Sequence, residues 1–256
     1  MKAMVLAAGL GTRLRPLTND RPKALVEVCG RTLLEITLTR LRDFGIHDVI
    51  INVHHYAEMV IDRVKAAGNF GMHVEFSRED VLLDTGGGLK KAEWFFSQSD
   101  ESVNPSASAD EDEPFILHNV DVISNIDLQR MVEVHKKSAA LSTLAVQKRK
   151  TSRYLVFNDH LQLCGRRLVK EDKTEIVRPS QNMTELAFTG IHVISPRIFS
   201  LLTEEGVFSI VPAYLRLAAQ GENIQAFCAD EYYWRDLGKP ENIQQAEQDI
   251  KASIIK

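Results

Sequence analysis

Cysteine is scarce in this chain. Its 256 residues include only three cysteines, and no Cys-x-x-Cys pair occurs among Cys29, Cys164 and Cys228. An odd number of widely spaced cysteines provides neither a disulfide framework nor a set of thiolate ligands for zinc. We therefore expect reduced thiols and a cytoplasmic location.

An excess of charge of one sign is also missing. The 31 lysines and arginines are balanced by 35 aspartates and glutamates, and the formal net charge is -4. This balance argues against nucleic acid or an anionic membrane surface as a partner, so any anion site must be a local cluster of cations. No apolar run reaches the roughly 18 residues of a membrane helix. Arg13 interrupts the apolar start that a signal peptide would continue.

The length and the hydrophobic content of 44% allow one large core, since a typical domain has roughly 100–200 residues. We predict a single domain over residues 1–256. Residues 97–114 differ in composition, with six acidic and no basic residues between Asp100 and Glu113. Low hydrophobicity and like charge are typical of a solvated, flexible loop insertion.

The N-terminal apolar run, Ala3 to Ala8, ends in Gly9-Leu10-Gly11. A short apolar run bounded by glycine is typical of a buried strand. The glycines let backbone N–H groups turn toward an anion and approach it closely. Arg13 can bind phosphate oxygens in a bidentate manner, and Lys23 can act as a mobile charge. The segment therefore predicts a phosphate site.

Two well-known phosphate loops do not fit. The dinucleotide motif Gly-x-Gly-x-x-Gly needs a third glycine where this chain has Leu14, and that glycine permits close packing of helix on strand. This weakens a nicotinamide-dependent oxidoreductase as an alternative function. The P-loop needs Gly-Lys-Ser/Thr after four spacer residues, and no segment supplies it.

From Ala7 to Leu25 the chain reads Gly-x-Gly-Thr-Arg-Leu-x-Pro-Leu-Thr and then Pro-Lys. This string resembles the signature of the sugar-1-phosphate nucleotidyltransferases, or NDP-sugar pyrophosphorylases. The resemblance implies that Arg13 and Lys23 are catalytic. It also implies that the loop binds the nucleotide through Ala7, Ala8, Gly9, Gly11, Thr12 and Arg13.

A second glycine-rich segment, Asp84-Thr85-Gly86-Gly87-Gly88, precedes a helical pattern. It is similar to Glu-Thr-Gly-Gly-Gly in the muramic acid 1-phosphate uridylyltransferases and to the related motif of guanylyltransferases. The resemblance implies that Thr85, Gly86 and Gly87 contact the nucleotide base and ribose. It leaves the identity of the base open.

Asp121 follows the apolar run Phe115-Ile116-Leu117. A carboxylate at the end of a buried strand is costly unless it has a role, and Mg²⁺ prefers such hard oxygen ligands. The family carries Asn-Gly-Asp here, where this chain has Val120 in place of the glycine. By the resemblance, Asp121 is a catalytic metal ligand, and Asp236, within Trp-x-Asp-x-Gly-x-Pro-Glu, is the second ligand of a Mg²⁺ cofactor.

The resemblance also implies that Asn119, Arg178 and Gly190 bind the sugar phosphate. Arg178 lies where much of the family has Glu-Lys-Pro, and here Val177 replaces the glutamate. Gly190 lies inside a strand pattern, which usually marks a bulge or a close approach of ligand.

Alternating strand and helix patterns predict an α/β protein with helices on both faces of its sheet. The resemblance implies a Rossmann-like three-layer αβα sandwich with a mixed, mostly parallel central sheet. It implies transfer of a nucleotidyl group from an NTP to a sugar-1-phosphate. GTP with mannose-1-phosphate and UTP with N-acetylmuramic acid 1-phosphate both fit, and the alternative is a non-catalytic regulatory subunit that binds an NDP-sugar. The oligomeric state is not indicated.

Overall fold

The computed structural model describes residues 1–97 and 113–255. The acidic loop predicted over residues 97–114 therefore lies almost wholly outside the described residues. The strands are β1 Lys2–Leu6, β2 Glu27–Val28, β3 Arg31–Thr32, β4 Asp48–Val53, β5 His73–Arg78, β6 Phe115–Asn119, β7 Val122–Ser124, β8 Ser142–Gln147, β9 Arg153–Asn158, β10 Leu163–Leu168, β11 Lys173–Ile176, β12 Met183–Ile194, β13 Ile224–Cys228 and β14 Trp234–Asp236. The helices are α1 Leu33–Asp43, α2 Ala57–Ala66, α3 Asp84–Lys91, α4 Glu93–Ser97, α5 Leu128–Lys137, α6 Ile198–Leu201, α7 Ile210–Ala219 and α8 Pro240–Lys251.

One large mixed sheet organises the fold. Its main path is β11-β10-β9-β12-β6-β1-β4-β5, with β8 paired to β12 and β13 paired to β8. Strands β6, β1, β4 and β5 are mutually parallel, and β12 is antiparallel to both β6 and β8. The parallel centre and the antiparallel outer strands confirm the predicted Rossmann-like mixed sheet.

The two faces of the sheet carry separate hydrophobic cores. In β1 and β4, Ala3 and Val49 belong to one cluster, whereas Met4 and Ile50 belong to the other. Successive side chains of a strand point to opposite faces, so an unbroken apolar run fills both cores. This explains why the central strands are continuously hydrophobic and gives the predicted three layers.

Helix α1 shows how local sequence determines a boundary. The side chain of Thr32 accepts a hydrogen bond from the Glu35 amide over 3.1 Å, the geometry of a helix N-cap. Leu34, Leu38 and Leu41 are fully buried on one face. The helix therefore covers one face of the sheet beside β1.

The connection pattern brings several strand ends to one edge of the sheet. Strands β1, β4 and β6 run in the same direction, and β8 shares that direction because both β8 and β6 are antiparallel to β12. Ligands of open α/β sheets bind at the carboxyl ends of the strands. The glycine loop after β1, Asp121 after β6 and the segment after β8 all lie at this edge.

Candidate active site

The glycine loop is shaped by Gly11. Its φ of 64° lies in the left-handed region, and an added Cβ would meet Thr18 Cγ2 at 2.9 Å and Lys23 Cβ at 3.0 Å. The Thr18 hydroxyl donates to the Gly11 carbonyl over 2.8 Å. Within the described part of the chain, the backbone amides of residues 9–13 make no hydrogen bond. These amides are therefore available to donate hydrogen bonds to an anion.

The amides of Ala7 and Ala8 have a different role. Both donate to Asn52 Oδ1, over 2.7 Å and 3.3 Å. The nucleotide contact predicted for these two residues therefore cannot use their N–H groups in this conformation. Ala8 still lines a cavity at this edge through its other atoms.

Asn52 belongs to a buried network that the sequence reasoning missed. Its Nδ2 donates to Glu79 Oε1 over 2.7 Å, and Glu79 Oε2 accepts from the Leu83 amide over 2.9 Å. Asn52 and Glu79 are only 3% and 5% exposed. The network thus joins the ends of β1, β4 and β5 to the start of α3. The sequence signal that could have revealed this network is a polar residue, Asn52, within the apolar run of β4.

Lys23 and Asp121 form an ion pair at the end of β6. Lys23 Nζ lies 2.8 Å from Asp121 Oδ2, and their side chains are 15% and 12% exposed. An added Cβ on Gly9 would lie 3.5 Å from Lys23 Nζ. The ammonium therefore lies between the glycine loop and the carboxylate, where it can neutralise a phosphate that both segments approach.

Asp236, 115 residues further along the chain, comes next to Asp121. Strand β14 is antiparallel to β7 and pairs Asp236 with Val122, the residue after Asp121. The Leu237 amide donates to the Asp121 carbonyl over 2.7 Å. The structure therefore places next to each other the backbones of the two residues that the resemblance gave as metal ligands.

Arg13 approaches the same two-strand segment. An added Cβ on Gly238 would lie 2.6 Å from Arg13 Nη2 and 2.7 Å from Asp236 Oδ1. The Gly238 amide donates to Asp236 Oδ1 over 2.6 Å, and this bond orients the carboxylate. Only glycine leaves room here for the guanidinium. Arg13 itself is exposed and forms no ion pair with another described residue.

The donor set fits a magnesium ion that also binds substrate. Within residues 1–97 and 113–255, Asp121 Oδ1 and Asp236 Oδ2 accept no hydrogen bond from the protein. No described group of three or more acidic, histidine or cysteine side chains forms a closed cage. Mg²⁺ commonly uses one or two carboxylates and takes its remaining ligands from water and phosphate. Asp121 and Asp236, each with one oxygen that accepts no hydrogen bond, lie beside the glycine loop and match this pattern.

The glycines of the second motif are the third to fifth residues of α3, and the prediction that they precede the helix was wrong. The amides of Gly86 and Gly87 both donate to the Phe208 carbonyl, over 2.9 Å and 3.1 Å. An added Cβ on Gly87 would lie 2.3 Å from the Gly206 carbonyl oxygen. These glycines serve close packing, and their N–H groups are not free for ribose or base. Thr85 lines the cavity and accepts a hydrogen bond from the Ile210 amide.

Gly190 marks a bulge, as its position inside a strand predicted. Its φ is 83°, and the pairing of β12 with β8 shifts register between Phe188 and His192. An added Cβ would lie 2.6 Å from Asn119 Nδ2. The bulge therefore leaves room for the Asn119 side chain, which lines the cavity beside Asp121.

Arg178 is not brought to this group of residues. One of its guanidinium nitrogens, Nη2, donates to the carbonyls of Ala218 and Glu222, each over 2.9 Å. These carbonyls lie at and beyond the end of α7. The guanidinium is thus engaged with the backbone, and Arg178 lines neither of the two cavities at the sheet edge. Its predicted phosphate contact has no counterpart in this arrangement.

Two cavities open at the site. The first, which we call the loop cavity, has a volume of about 450 Å³ and includes Gly9, Lys23, Thr85, Asn119 and Asp121 in its lining. The second, which we call the basic cavity, has a volume of about 560 Å³. Its charged lining residues are Arg13, Arg149, Lys150, Arg235, Asp236 and Lys239.

Arg149 is the central cation that the sequence reasoning missed. Its guanidinium carbon lies 3.9 Å from the ring centroid of Trp234, and Nη2 donates to the Phe188 carbonyl over 2.7 Å. Trp234 is held by a hydrogen bond from Nε1 to the Thr189 carbonyl over 2.8 Å. Burial lowers the pKa of Arg149, and the negative charge of Asp236 opposes that shift. The side chain is therefore a positioned, partly desolvated cation.

No helix among the described residues is both long and apolar enough to cross a membrane.

The sequence matches the family model for nucleotidyl transferases over residues 2–253. Known proteins of similar sequence include the N-acetylmuramate alpha-1-phosphate uridylyltransferase of Caulobacter vibrioides, which is 33% identical over 93% of this chain and 92% of its own length. The mannose-1-phosphate guanyltransferase of Yarrowia lipolytica is 30% identical over 94% of this chain, which spans 62% of that longer relative.

Solved structures support the same fold. A putative glucose-1-phosphate thymidylyltransferase from Bacillus anthracis superposes with a TM-score of 0.75 over 100% of this chain and 96% of that one. Its sequence identity is 18%, so this likeness concerns the fold alone.

Proposed function

Since this chain belongs to the nucleotidyl transferase family, we propose that it is an enzyme that joins an NTP and a sugar-1-phosphate. The products are an NDP-sugar and pyrophosphate. The observation that carries this proposal is the meeting of Asp121 and Asp236 on paired strands beside Lys23 and Arg13. Two carboxylates and two cations beside the glycine loop suit phosphoryl transfer better than any other reaction class.

The reaction needs positioning more than covalent help from the protein. An oxygen of the sugar phosphate attacks the α-phosphorus of the NTP in line and forms the new P–O bond. The bond from the α-phosphorus to the bridging oxygen breaks, and pyrophosphate leaves with the electron pair. The attacking phosphate is already an anion near neutral pH, so no general base is required. Catalysis then comes from orientation and from neutralisation of charge.

Each cation has a task that follows from its location. Arg13, exposed at the end of the glycine loop, binds the leaving phosphates together with the free amides of residues 9–13. Lys23, between Gly9 and Asp121, neutralises the α-phosphate and the attacking oxygen. Fixed charges of this kind act most strongly on the charge that develops in the transition state.

Asp121 and Asp236 are proposed to hold Mg²⁺. When bound, the ion would neutralise phosphate charge and orient the phosphate oxygens. The free Oδ1 of Asp121 and the free Oδ2 of Asp236 are the atoms we assign to it. The hydrogen bond from the Gly238 amide to Asp236 Oδ1, over 2.6 Å, would keep that carboxylate oriented.

The loop cavity is proposed to hold the nucleoside. Its volume of about 450 Å³ lies within the range typical of small-molecule sites. Thr85, Gly9 and Ala8 line it, whereas Gly86 and Gly87 act by bringing α3 close to the chain at Phe208. Asn119 and the bulge at Gly190 would then lie toward the sugar phosphate.

The relatives suggest two substrate pairs. The name of the Caulobacter vibrioides relative specifies uridylyl transfer to N-acetylmuramate 1-phosphate, and that of the Yarrowia lipolytica relative specifies guanylyl transfer to mannose-1-phosphate. We propose that this chain uses one of these pairs. Use of an NTP and the absence of paired cysteines among the described residues favour a cytoplasmic location.

A regulatory subunit without activity gains no support from Val120. The valine side chain is 1% exposed and belongs to the hydrophobic core. Its amide donates to the Leu6 carbonyl over 3.2 Å. Because the side chain faces the core, it does not crowd the substrates where the family has glycine.

Pyrophosphate release with Mg²⁺, measured for four NTPs against a panel of sugar-1-phosphates, tests the proposal. Release that requires one NTP and one sugar phosphate together is the expected result. Folded protein that binds a nucleotide but releases no pyrophosphate with any pair would overturn catalysis and revive the regulatory alternative.

A further inference from the structure

The basic cavity carries more positive charge than the proposed reaction uses. Five cations and one carboxylate line it, and Arg235 is the only one of the five with a carboxylate partner among the described residues. That partner is Asp249, which lies 2.7 Å from Arg235 Nη2. Even with Arg13 assigned to the leaving phosphates, Arg149, Lys150 and Lys239 remain without a carboxylate partner within the described residues.

The chemistry of these three side chains restricts what they can recognise. Arginine and lysine donate hydrogen bonds and accept none, so a group that only accepts suits them best. Carboxylate, phosphate and sulfate are such groups, whereas a sugar hydroxyl also needs an acceptor. Two neutral side chains of the cavity already use their amide nitrogens, so their amide oxygens are left as acceptors for the hydroxyls of a sugar. Gln147 Nε2 donates to the Ala229 and Tyr232 carbonyls, and Asn242 Nδ2 donates to the Asp236 carbonyl.

Arg149 is built into the cavity wall. It lies over the Trp234 ring at 3.9 Å and is held by the Phe188 carbonyl at 2.7 Å. Its Nε is buried and makes no hydrogen bond with any described residue. Because Nε is buried, the donors that can reach a ligand are the N–H groups of the terminal nitrogens that Phe188 does not use. A guanidinium fixed on two sides offers them at little further entropy cost, which suits recognition of a planar or tetrahedral anion.

The position of the cavity separates it from the proposed nucleoside site. Arg149 and Lys150 follow β8, on the far side of β6 and β12 from the glycine loop after β1. Asp236 lines the basic cavity, and Asp121 lines the loop cavity. The two proposed metal ligands thus stand at the junction, with one cavity on each side. A volume of about 560 Å³ fits a whole sugar phosphate.

We propose that the basic cavity receives the acceptor sugar and that Arg149, Lys150 and Lys239 bind a second acidic group on that sugar, in addition to its phosphate. The ligand class is a sugar-1-phosphate that bears a carboxylate. This inference rests on the proposed function and sharpens it, because it favours an acidic acceptor over a neutral hexose phosphate. The other anion that could enter the cavity is the pyrophosphate that leaves.

The test uses one acceptor in two forms. N-acetylmuramate 1-phosphate is compared with its neutral carboxamide analogue, in both pyrophosphate release and calorimetric binding to the protein with Mg²⁺. We expect the wild-type enzyme to prefer the acid on the order of 10- to 100-fold in kcat/KM, the range that one or two charge-assisted hydrogen bonds supply. Arg149→Gln should remove most of this preference through KM for the acid, with little change for the carboxamide.

A matched pair of variants controls for charge and folding. Lys148 and Lys150 are both exposed residues of the same segment, but only Lys150 lines the cavity. Lys150→Gln should reduce the preference for the acid, whereas Lys148→Gln should preserve it. Thermal unfolding of all three variants establishes that each is folded, and Lys150→Gln keeps the test valid if Arg149→Gln is unstable.

The outcomes separate the two proposals. Equal turnover and equal binding of both acceptor forms would overturn the acidic subsite and leave the transferase proposal intact. A rise in KM for pyrophosphate in the reverse reaction of Arg149→Gln, with the acid preference unchanged, would assign the cavity to pyrophosphate and overturn the inference. Binding of the acid without turnover by any NTP would support the subsite and contradict the proposed enzyme. If neither binding nor turnover of the acid were observed, both the acidic subsite and the transferase proposal would be overturned.

Discussion

The backbone amide of Leu237 donates a hydrogen bond to the carbonyl oxygen of Asp121 over 2.7 Å. This bond continues the pairing of β14 with β7 and fixes Asp236 beside Asp121. The separation of the two backbones is therefore set by strand pairing. A binding site placed on rigid elements is held more accurately than one on loops.

Asp236→Asn should abolish most turnover while the protein stays folded. The asparagine side chain removes one negative charge from the proposed metal site, but its Oδ1 can still accept the hydrogen bond from the Gly238 N–H group. We expect kcat to fall on the order of 10²- to 10³-fold at saturating Mg²⁺. Pyrophosphate release measures the loss.

The control for this variant is Asp62→Asn, an exposed aspartate of α2. It should leave kcat unchanged. If Asp236→Asn also retained wild-type turnover at saturating Mg²⁺, the assignment of this carboxylate as a metal ligand would be wrong.

Lys23→Ala should reduce kcat more than it raises KM. The ammonium lies 2.8 Å from Asp121 Oδ2 and near Gly9, where charge develops on the α-phosphate in the proposed reaction. We expect a loss on the order of 10²-fold in kcat, by comparison with other positioned charges. Steady-state kinetics with the NTP varied separates the two parameters.

Lys65→Ala, an exposed lysine of α2, is the control and should behave as wild type. A loss confined to KM for the NTP would show that Lys23 binds ground state and transition state equally. Its proposed catalytic role would then be withdrawn.

The glycine loop and Asp121 could be predicted because their signals are local, whereas Asp236 was predicted only from the family resemblance. The turn at Gly11 follows a short apolar run, and Asp121 comes two residues after a buried strand. The sheet could be predicted for the same reason, since its central strands are short apolar runs separated by helical patterns. The three-layer fold follows from that alternation.

The parts that could not be predicted depend on contacts between distant segments. Asn52 receives the Ala7 amide across 45 residues, and Phe208 accepts from the amides of Gly86 and Gly87. No local pattern shows that these groups are already paired. Arg149 is similar, because its importance arises from Trp234 and Phe188, which pack on it from other strands.

Asn52→Ala should destabilise the fold. It removes the acceptor of the Ala7 amide and the donor to Glu79, both in a buried setting. Leaving a buried polar group without a partner costs about 1 to 3 kcal/mol. Urea unfolding should show a free energy of unfolding lower by about that amount.

The comparison is Asn182→Ala, which removes an exposed hydrogen bond to Asp159. Its effect should stay within about 0.5 kcal/mol. Equal stability of the Asn52 and Asn182 variants would mean that water replaces the lost amide and that the network is not structural.

Gly87→Ala should be destabilising for a steric reason. The new Cβ would lie 2.3 Å from the Gly206 carbonyl oxygen, a backbone atom that cannot turn aside. Overpacking of this kind typically costs about 1 to 3 kcal/mol. Gly9→Ala is the matched glycine, because its Cβ would lie 3.5 Å from Lys23 Nζ, an ordinary contact.

Urea unfolding should therefore separate the two glycine variants. Gly9→Ala should unfold at the wild-type midpoint, whereas Gly87→Ala should unfold earlier. Identical midpoints would indicate that the loop at Gly206 shifts freely and that α3 does not depend on this close contact.

Three buried histidines should make stability fall with acid. Burial lowers the pKa of His118 and of His192 to about 3, and that of His135 to about 4. In the unfolded chain these groups return to about 6.5. Between those values the unfolded state binds more protons than the folded state. The free energy of unfolding therefore falls as pH drops below about 6.5, and the stabilising effect is complete above it.

Each such histidine contributes a slope of at most about 1.4 kcal/mol per pH unit. His192, whose Nδ1 lies 2.9 Å from the Tyr214 hydroxyl, is the best test because it is fully buried among sheet residues. Urea unfolding of wild type and His192→Gln from pH 7.5 to 5 should give a shallower slope for the variant. The slope is the readout, since the substitution also changes stability at every pH.

His160→Gln, at an exposed turn, should leave the slope of the wild type unchanged. If the free energy of unfolding of the wild type did not decline from pH 6.5 to 5, the buried imidazoles would have to accept protons without unfolding. That result would require water or a charge partner to reach them inside the fold. Because His118 lies in β6 just before Asp121, the same result would also show that solvent reaches the strand that carries the proposed metal ligand.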